Sequence, residues 1–428
     1  YNPAGYSLVR STTLVSGSTS DLVSNNGSYM TFRSYTNNDV RYDESLGQSD
    51  TTNTTYQDKV TLTFTPPTSG DYIIIADAEM HGSSTLYRTN ACLYIGTSMY
   101  QEMIRGVKST TDWSPFNALK RLTLSAQTTM KIQWCSSSTS ATASIRNARL
   151  IAFKMPSEYA ENETRVTTQS TAWQTGVTLT FTPATAGDYL IIATSNIDGS
   201  STFYDVKWRL LQDDTTEHAN VVRRAGASAG RYNVGAMRTI TLNATSHNFK
   251  IQYCASSTSG TAGIGYAHLI AIRVDQFPNK YYQESEAEES PAAAGTWYDK
   301  AVSTYTPQAG DHLIIGAMHH TSASTSYSVG VRLNQNGVIV TDRLIEQGAT
   351  TDYDSSFSFT KAYLTATSKT DKMQYMGEST ATKVKMARIL CLQLFEHIVE
   401  VEFTGNSNTQ TWTQLVWTVD SSFTTDSV

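Results

Sequence analysis

The sequence contains little charge, little proline and little cysteine. Only 16% of its 428 residues are charged, and it has nine prolines and four cysteines. The 32 lysines and arginines are outnumbered by 38 aspartates and glutamates, and no basic cluster is longer than Arg223-Arg224. Because nucleic-acid binding requires a concentrated positive surface, we expect no nucleic-acid partner.

Long apolar runs are also missing. The longest, at 72–76 and 313–318, have the length of strands and fall far short of the ~20 residues that a membrane-spanning helix needs. We therefore expect no membrane span. Serine and threonine make up about a quarter of the chain, which is not typical of intracellular enzymes. Since no leader precedes Tyr1, we interpret the chain as an exported, processed product located outside the cell or on its surface.

One unit occurs three times along the chain. Each copy has a Thr-aromatic-Thr-Pro motif followed by Gly-Asp and a further ring, and the motif glycines Gly70, Gly187 and Gly310 are 117 and 123 residues apart. Later landmarks keep the same register, which is the signature of tandem repeats. They read IQWC at 132–135, IQYC at 251–254 and MQYM at 373–376, then ARLI at 148–151, AHLI at 267–270 and ARIL at 387–390.

Within a copy, apolar and polar residues alternate. This pattern, as at 60–64 and 177–181, is typical of strands with one buried face. The first copy holds about eight candidate strands in about 120 residues, which is the strand number and size of a jelly-roll β-sandwich. The predicted fold is all-β, with tandem jelly-roll-like β-sandwich domains at 41–155, 156–275 and 276–396.

The two ends of the chain lie outside the repeat. The N-terminal end contains SDL at 20–22 and GSYMTFRSY at 27–35, and the C-terminal end reads VEFTGNSNTQTWTQLVWTVDSS at 401–422. Together they resemble adjacent halves of a β-sandwich module common in secreted, cell-surface proteins of archaea. The resemblance implies a discontinuous outer β-sandwich, 1–40 plus 397–428, with the repeats inserted at one of its loops.

The resemblance also suggests how the protein assembles. In the family, further strands follow the Trp-Thr-x-Asp-Ser stretch, whereas this sequence stops at Val428. We expect the outer sandwich to be completed either by more chain or by a strand from a neighbour. The second route is strand addition, which would join copies of the chain into a homopolymer or homo-oligomer.

The residues carry little sign of catalysis. A Gly-x-Ser-x-Gly motif occurs at 226–230, but it falls in a loop-like segment of a β repeat and has no matching serine in the sister copies. We predict no catalytic residues and no enzyme. The histidines, including His81 and the adjacent His319-His320, lack metal-ligand spacing and are interpreted as solvated loop residues. We predict no cofactor, while calcium on backbone carbonyls and a lone carboxylate such as Asp198 stays open.

Some polar residues recur in all three copies. The carboxylates at the turns could contact a ligand, but we favour turn residues that bond their own backbone. The recurring tyrosines could stack on sugar rings, but we favour packing on a sandwich face. These residues are the turn carboxylates Asp71, Asp188 and Asp311, the glutamates Glu44, Glu161 and Glu284, and the tyrosines Tyr87, Tyr204 and Tyr327.

Sequons and cysteines complete the candidate sites. The Asn-x-Ser/Thr sequons, which would accept glycans in a glycosylating host, are at Asn26, Asn53, Asn162 and Asn243. Cys135 and Cys254 occupy equivalent positions in separate domains and Met376 replaces them in the third, which indicates an apolar buried site. We predict mostly free, buried thiols, with Cys92–Cys135 as the one candidate disulfide.

These observations favour a non-enzymatic extracellular structural protein. It would be a subunit of a cell-surface layer, filament or appendage that assembles through its β-sandwich domains. Two alternatives stay open. The first is a virion fibre or capsid decoration protein, because viruses also use serial jelly rolls with small polar loops. The second is a glycan-binding adhesin that uses loop carboxylates and aromatic rings.

Overall fold

The structure is a computed structural model. It describes residues 20–23, 29–34, 40–67, 69–106, 112–155, 157–200, 203–224, 230–275, 277, 279–322, 327–346, 353–394 and 399–404. Throughout these ranges the regular elements are strands. The same ranges contain no helix that is long and apolar enough to cross a membrane.

The strands follow one another closely along the chain. The N-terminal end and the first repeat hold β1 (Ser20–Val23), β2 (Tyr29–Ser34), β3 (Val40–Ser45), β4 (Ser49–Thr51), β5 (Gln57–Phe64), β6 (Gly70–Gly82), β7 (Arg88–Ile95), β8 (Ser98–Gly106), β9 (Ser114–Leu124), β10 (Thr128–Ser136) and β11 (Ala143–Lys154). The second repeat holds β12 (Ser157–Asn162), β13 (Val166–Thr168), β14 (Gln174–Phe181), β15 (Gly187–Gly199), β16 (Asp205–Gln212), β17 (Thr216–Arg224), β18 (Tyr232–Leu242), β19 (His247–Ala255) and β20 (Ala262–Arg273). The third repeat and the C-terminal end hold β21 (Lys280–Ser285), β22 (Tyr298–Tyr305), β23 (Gly310–Thr321), β24 (Ser328–Gln335), β25 (Val338–Ile339), β26 (Arg343–Glu346), β27 (Asp354–Leu364), β28 (Lys369–Gly377), β29 (Lys383–Gln393) and β30 (Val399–Thr404).

The first repeat folds into two antiparallel sheets. One has the strand order β3-β11-β6-β9 and the other β5-β10-β7-β8, so the chain keeps switching between sheets. This is the strand order of an eight-stranded jelly roll. Residues of both sheets, such as Leu62, Tyr72, Leu93 and Ile132, share one apolar core, which shows that the sheets pack face to face.

The second and third repeats have the same arrangement. Their sheets have the orders β12-β20-β15-β18 and β14-β19-β16-β17, then β21-β29-β23-β27 and β22-β28-β24-β25, with β26 also pairing with β24. In each of these two repeats, the two sheets enclose an apolar core of their own. The predicted all-β fold of jelly-roll sandwiches is therefore confirmed. We call β3–β11 jelly roll 1, β12–β20 jelly roll 2 and β21–β29 jelly roll 3.

The chain divides into two compact units. Asn37–Glu396 contains the three jelly rolls, and Tyr1–Thr36 joins His397–Val428 in the other unit. In that second unit, β2 pairs with β1 on one side and with β30 on the other, so both ends of the chain contribute to one antiparallel sheet. Most residues of the predicted outer sandwich lie outside the described ranges. That sandwich and the domain boundaries stay predictions.

Burial along the strands follows the sequence pattern only in part. β5, β14 and β22 share one alternating burial pattern, as predicted for strands with one buried face. β6, β15 and β23 are instead buried on both faces over nearly their whole length. One face of each packs on its own sandwich core. The other face must therefore be covered by something outside that sandwich.

A bulge with an unusual backbone recurs in each jelly roll. It lies where β11, β20 and β29 lose register with β6, β15 and β23. Asn147, Tyr266 and Met386 occupy it with φ of 49°, 48° and 53°, a left-handed conformation that costs energy for tyrosine and methionine. Bulges bend strands, and this bend is common to all three copies.

Candidate functional site

A second apolar core lies between the jelly rolls. It covers the outer faces of β6, β15 and β23, and all three jelly rolls contribute to it. Burying apolar surface stabilises contacts by about 25 cal/mol per Å², so this core helps to hold the jelly rolls together. Its residues at equivalent positions include Ile73 and Ile75, Leu190 and Ile192, and Leu313 and Ile315, each at most 1% exposed.

The edge strands β9, β18 and β27 contact one another where the jelly rolls meet. The backbone N–H of Asn117 donates to Asn233 Oδ1 at 3.4 Å. The backbone N–H of Gly235, at the position equivalent to Asn117, donates to Ser355 Oγ at 3.0 Å. Jelly rolls 1 and 2, and jelly rolls 2 and 3, thus contact each other through the same two positions. In the third contact the acceptor position is Pro115, whose side chain cannot accept a hydrogen bond.

Backbone hydrogen bonds close these contacts into a ring. We call the contacts of jelly rolls 1 and 2 seam A, those of 2 and 3 seam B, and those of 3 and 1 seam C. The bonds join Ile104 with Arg231 in seam A, Val222 with Tyr353 in seam B and Leu344 with Trp113 in seam C, at 2.7–3.2 Å. Three of these residues lie at equivalent places on strands, namely Ile104 on β8, Val222 on β17 and Leu344 on β26. Their partners directly precede strands, namely Arg231 before β18, Tyr353 before β27 and Trp113 before β9. The three jelly rolls therefore form a closed ring with pseudo-threefold symmetry.

Both ends of this block lie at the same end of the pseudo-threefold axis. Val40, the first residue of β3, lies opposite Phe153, which pairs with Ile73 near the start of β6. The backbone N–H of Leu394, which follows β29, donates to the carbonyl of Asp311 at the start of β23, the strand equivalent to β6. The chain therefore enters and leaves the block at one end.

Seam C contains a buried ion pair. Arg343 Nη2 of jelly roll 3 lies 2.5 Å from Asp77 Oδ1 of jelly roll 1, and both side chains are 0% exposed. Arg343 also donates to Ser356 Oγ at 2.8 Å and to the carbonyl of Phe357 at 2.7 Å. Asn117 Nδ2 donates to Asp77 Oδ1 at 2.8 Å. Burial raises the pKa of Asp77 to about 6, although Arg343 acts in the opposite direction.

Seam A contains neutral amides and the ion pairs of Lys120 and Arg231. Gln101 Nε2 donates to Asn196 Oδ1 at 3.2 Å. Lys120 of jelly roll 1 pairs with Glu161 at 2.7 Å and with Glu163 at 2.6 Å, both from jelly roll 2. These contacts fix the register of the two jelly rolls, since an unpaired buried amide or ammonium group would be costly.

Seam B is rich in arginine and histidine. Arg388 of jelly roll 3 donates to the carbonyls of Met237 and His218 of jelly roll 2, at 2.9 and 2.8 Å. Arg223 of jelly roll 2 pairs with Asp354 of jelly roll 3. The polar groups of this seam thus include arginines paired with acids, imidazoles and backbone carbonyls.

One position shows how the seams differ. Eight residues after the motif aspartate, the three copies carry Glu79, Asn196 and His319, and all three side chains are buried. The sequence interpretation of the histidines as solvated loop residues is wrong. His81 is a half-buried residue of β6, and the interpretation also fails for His319 and His320. β23 continues to Thr321, so both histidines lie within a strand that is covered on both faces.

Comparisons with known proteins give no family for this chain. No family model and no curated protein match it. A triple jelly-roll protein from an archaeal virus, described with its turret assembly, is 11% identical over 81% of this chain and 82% of that chain, with a TM-score of 0.18. A protein of Sulfolobus Turreted Icosahedral Virus is 11% identical over 79% of this chain and 84% of that chain, with a TM-score of 0.18. A β-porphyranase from Bacteroides plebeius is 13% identical over 54% of this chain and 37% of that chain, with a TM-score of 0.17. TM-scores this low support no functional argument.

The repeated turn carboxylates are engaged within the protein. They lie at the starts of β6, β15 and β23, where they form ion pairs with lysine or arginine side chains. Lys280 comes from jelly roll 3, so its ion pair spans seam B. The pairs are Asp71 with Arg121, Asp188 with Lys280, and Asp311 with Lys361.

The repeated glutamates also lie at the seams. Each accepts a hydrogen bond from the tyrosine two residues before it, at 2.5–2.6 Å, in the pairs Tyr42–Glu44, Tyr159–Glu161 and Tyr282–Glu284. Arg238 of jelly roll 2 reaches Glu284 at 2.9 Å across seam B, as Lys120 reaches Glu161 across seam A. At seam C, Thr360 occupies the equivalent position and hydrogen-bonds Tyr42.

The cysteines are all free and buried. The candidate disulfide Cys92–Cys135 is not formed. Cys135 of β10 lies opposite Asn90, two residues away from Cys92 on β7, so the two cysteines are not paired across the strands. Burial raises the pKa of every thiol, which makes the thiols poor nucleophiles.

The remaining candidate residues do not converge on a site. Asp198, considered for calcium, is held by both Arg165 Nε and Nη2, at 2.7 and 2.6 Å, beside a cleft of about 130 Å³. In the described ranges, no group of three or more potential metal ligands occurs. Of the motif at 226–230, only Gly230 is described. Tyr87 and Tyr204 are half-buried, whereas Tyr327 is 44% exposed.

The sequons differ in accessibility. Asn53 and Asn243 are exposed, and Asn26 lies outside the described residues. Asn162 is half-buried, and its Nδ2 donates to the carbonyl of Gly176 at 3.0 Å. It also lies between Glu161 and Glu163, which pair with Lys120 across seam A. A glycan on Asn162 would interfere with that seam.

We expect glycans on Asn53 and Asn243 and none on Asn162 when the protein is secreted from an N-glycosylating host. Peptide mass spectrometry of the folded, secreted protein before and after glycan removal measures this. Asn243→Gln should remove one glycan, and Asn162→Gln should leave the total mass of glycan unchanged. Folded protein with a glycan on Asn162 and none on Asn243 would contradict the prediction.

Proposed function

We propose that the chain is a non-enzymatic structural protein that displays a rigid, pseudo-threefold block of three jelly rolls from a discontinuous outer β-sandwich. The closed ring is the observation that supports this. Buried polar and charged side chains such as Arg343, Asp77 and Arg388 hold neighbouring jelly rolls together. An enzyme would instead gather such groups in a cleft around a substrate.

The proposed setting is extracellular, in an assembly at the cell surface. Both chain connections leave the block at one end of the axis, so the block is suited to being mounted on a support with its other end facing outward. The jelly rolls pack side by side around an axis rather than end to end. This arrangement favours a layer or a knob-like appendage over a filament of serial beads.

A virion surface protein is the second candidate. The pseudo-threefold symmetry of the block supports it, because closed shells contain threefold positions that a single pseudo-symmetric chain can occupy. In either setting, the outer unit would make the contacts between copies. We propose that copies contact each other by strand addition to the β1-β2-β30 sheet. Within the described residues, both outer strands of that sheet have an edge free for pairing.

Negative-stain imaging of the full chain at increasing concentration tests the proposal. We expect ordered oligomers or layers that carry compact three-lobed blocks. A variant lacking 397–428 should lose assembly while keeping the strand signal and thermal unfolding of the block. A full chain that stays monomeric at every concentration would contradict assembly. Copurification of the native protein with virions or with cell envelopes distinguishes the two settings.

A further inference from the structure

Three buried histidines lie at seam B. His218, His319 and His320 are at most 3% exposed. The backbone carbonyl of His218 accepts the hydrogen bond from Arg388 across the seam. His319 hydrogen-bonds to the backbone of Asn220 in jelly roll 2. A histidine from each side is therefore part of this contact.

Their surroundings are mostly cationic. His218 Nδ1 lies 3.0 Å from Arg238 Nη1, and its Nε2 lies 2.8 Å from Gln212 Oε1. Because arginine can only donate, Nδ1 of His218 must be the unprotonated acceptor. The cations that face the other two imidazoles are Arg388 and Lys385 at His319, and Arg223 and Arg343 at His320.

The nearby acids are already paired with these cations or lie at the edge of the group. The paired acids are Asp354 with Arg223, Asp77 with Arg343, Glu286 with Arg388 and Glu284 with Arg238. Asp213 acts on His218, and Glu217 and Glu288 act on Lys385. Added positive charge on the imidazoles would therefore be largely uncompensated.

Burial, reinforced by these cations, lowers the pKa of all three histidines. It is lowered to about 3 for His320 and to about 4 for His218, and that of His319 falls well below 6.5. The folded seam thus binds fewer protons than the unfolded chain. Its stability is complete above pH 6.5 and decreases as the pH falls through 6.5 towards 4 and 3.

The other seams carry different groups at the same places. Glu79 and Asn196 replace His319, and Met80 and Ile197 replace His320. None of these residues gains a positive charge in acid. Seam A contains one buried histidine, His268, whose Nδ1 lies 2.7 Å from the hydroxyl of Tyr159 and 3.5 Å from a carboxylate oxygen of Glu161. Because the three seams share their backbone geometry, seams A and C serve as comparisons for seam B, with a carboxylate facing the histidine of seam A.

We propose that seam B is an acid-triggered opening device, which separates jelly rolls 2 and 3 while each jelly roll stays folded and seams A and C stay closed. The block would then be a closed ring near neutral pH and an open arrangement of three sandwiches in acid. A surface protein that meets an acidic compartment or medium would change its displayed surface in this way.

Small-angle X-ray scattering of the full chain between pH 7.5 and 3.5 tests the opening. We expect the radius of gyration to increase in acid while the far-ultraviolet strand signal is retained. Val222→Cys with Tyr353→Cys places a disulfide across seam B, and Ile104→Cys with Arg231→Cys places the matched disulfide across seam A. Both pairs are directly opposed antiparallel residues, which are close enough for a disulfide. The seam B disulfide should abolish the expansion, and the seam A disulfide should leave it unchanged.

The role of the histidines is tested by replacing His319 and His320 with the residue types found at the equivalent positions of jelly roll 2. His319→Asn with His320→Ile should lower the midpoint of opening by at least one pH unit. His247→Gln, which lies outside the seam and bonds Asp213 and Asn243, should not move it. A wild-type block that stays closed at pH 3.5 would overturn the proposal. Equal protection by both disulfides, or an unchanged midpoint in the double variant, would overturn it as well.

Discussion

Arg343→Val should lower the free energy of unfolding of the three-jelly-roll block by about 3–5 kcal/mol, the range expected when one partner of a buried ion pair is removed. The substitution leaves Asp77 buried at seam C with Asn117 as its remaining hydrogen-bond donor. It also removes the donor to Ser356 and to the carbonyl of Phe357. Chemical denaturation followed by intrinsic fluorescence measures the loss.

The sister seams indicate how the loss can be reversed. The positions equivalent to Arg343 and Asp77 at seam B are Val221 and Ala317, and both are apolar and buried. The double variant Arg343→Val with Asp77→Ala copies that apolar pair into seam C. We expect it to recover most of the lost stability, because replacing both members of a buried ion pair by apolar residues is often neutral or stabilising.

A double-mutant cycle gives the strength of the pair directly. The coupling between Arg343 and Asp77 should be about 3 kcal/mol or more, since each single variant leaves an uncompensated buried group. Glu79 provides the comparison, because it lies 3.8 Å from Arg343 Nε and is also held by Arg146 at 2.7 Å, so we expect its coupling to Arg343 to be weaker. Additive single and double effects would show that the ion pair does not hold seam C.

The strands could be predicted from the sequence because their signal is local. The alternation at 60–64 and 177–181 identifies β5 and β14, and their burial follows it residue by residue. The repeat then transfers each assignment to the other copies. The position of each strand is encoded by short-range patterns of this kind.

The ring between the jelly rolls was missed, although one signal was present. The continuous apolar runs at 72–76 and 313–318 are too short to span a membrane. Uninterrupted apolar strands also indicate burial on both faces, which is how β6 and β23 are used.

The polar contacts of the seams could not be predicted in the same way. Arg343 and Asp77 are 266 residues apart, and neither charge recurs at the equivalent positions of the other copies. The repeat pattern therefore gives no indication of the pair. Pairing across a seam depends on how whole jelly rolls pack, which no local spacing encodes.

The second large effect concerns the core of jelly roll 3. Asp371 is 0% exposed and accepts a hydrogen bond from the hydroxyl of Tyr305. In jelly roll 1 the equivalent residues are Met130 and Phe64, which belong to its apolar core. Jelly roll 3 therefore carries a buried acid where its sister has a methionine.

Tyr305→Phe with Asp371→Met restores the sister pair and should raise the free energy of unfolding by about 1–4 kcal/mol at pH 7. Tyr305→Phe alone should lower it, because Asp371 then loses the hydroxyl that satisfies it. This single variant is the matched control for the double variant. Both are compared with wild type by chemical denaturation.

The pH dependence of the stability difference shows whether the buried carboxyl group of Asp371 causes it. Burial raises the pKa of Asp371 to about 6, above its ordinary value of 3.8, so the folded chain holds a proton that the unfolded chain releases. The stabilisation that comes from this bound proton is complete below pH 3.8. It is lost as the pH rises through 6, by roughly 3 kcal/mol in total. The stability difference between the double variant and wild type should therefore widen by about that amount between pH 4 and 7.5. The histidines of seam B are common to both proteins and cancel in this difference. A difference that does not change with pH would show that Asp371 is not buried as a protonated acid.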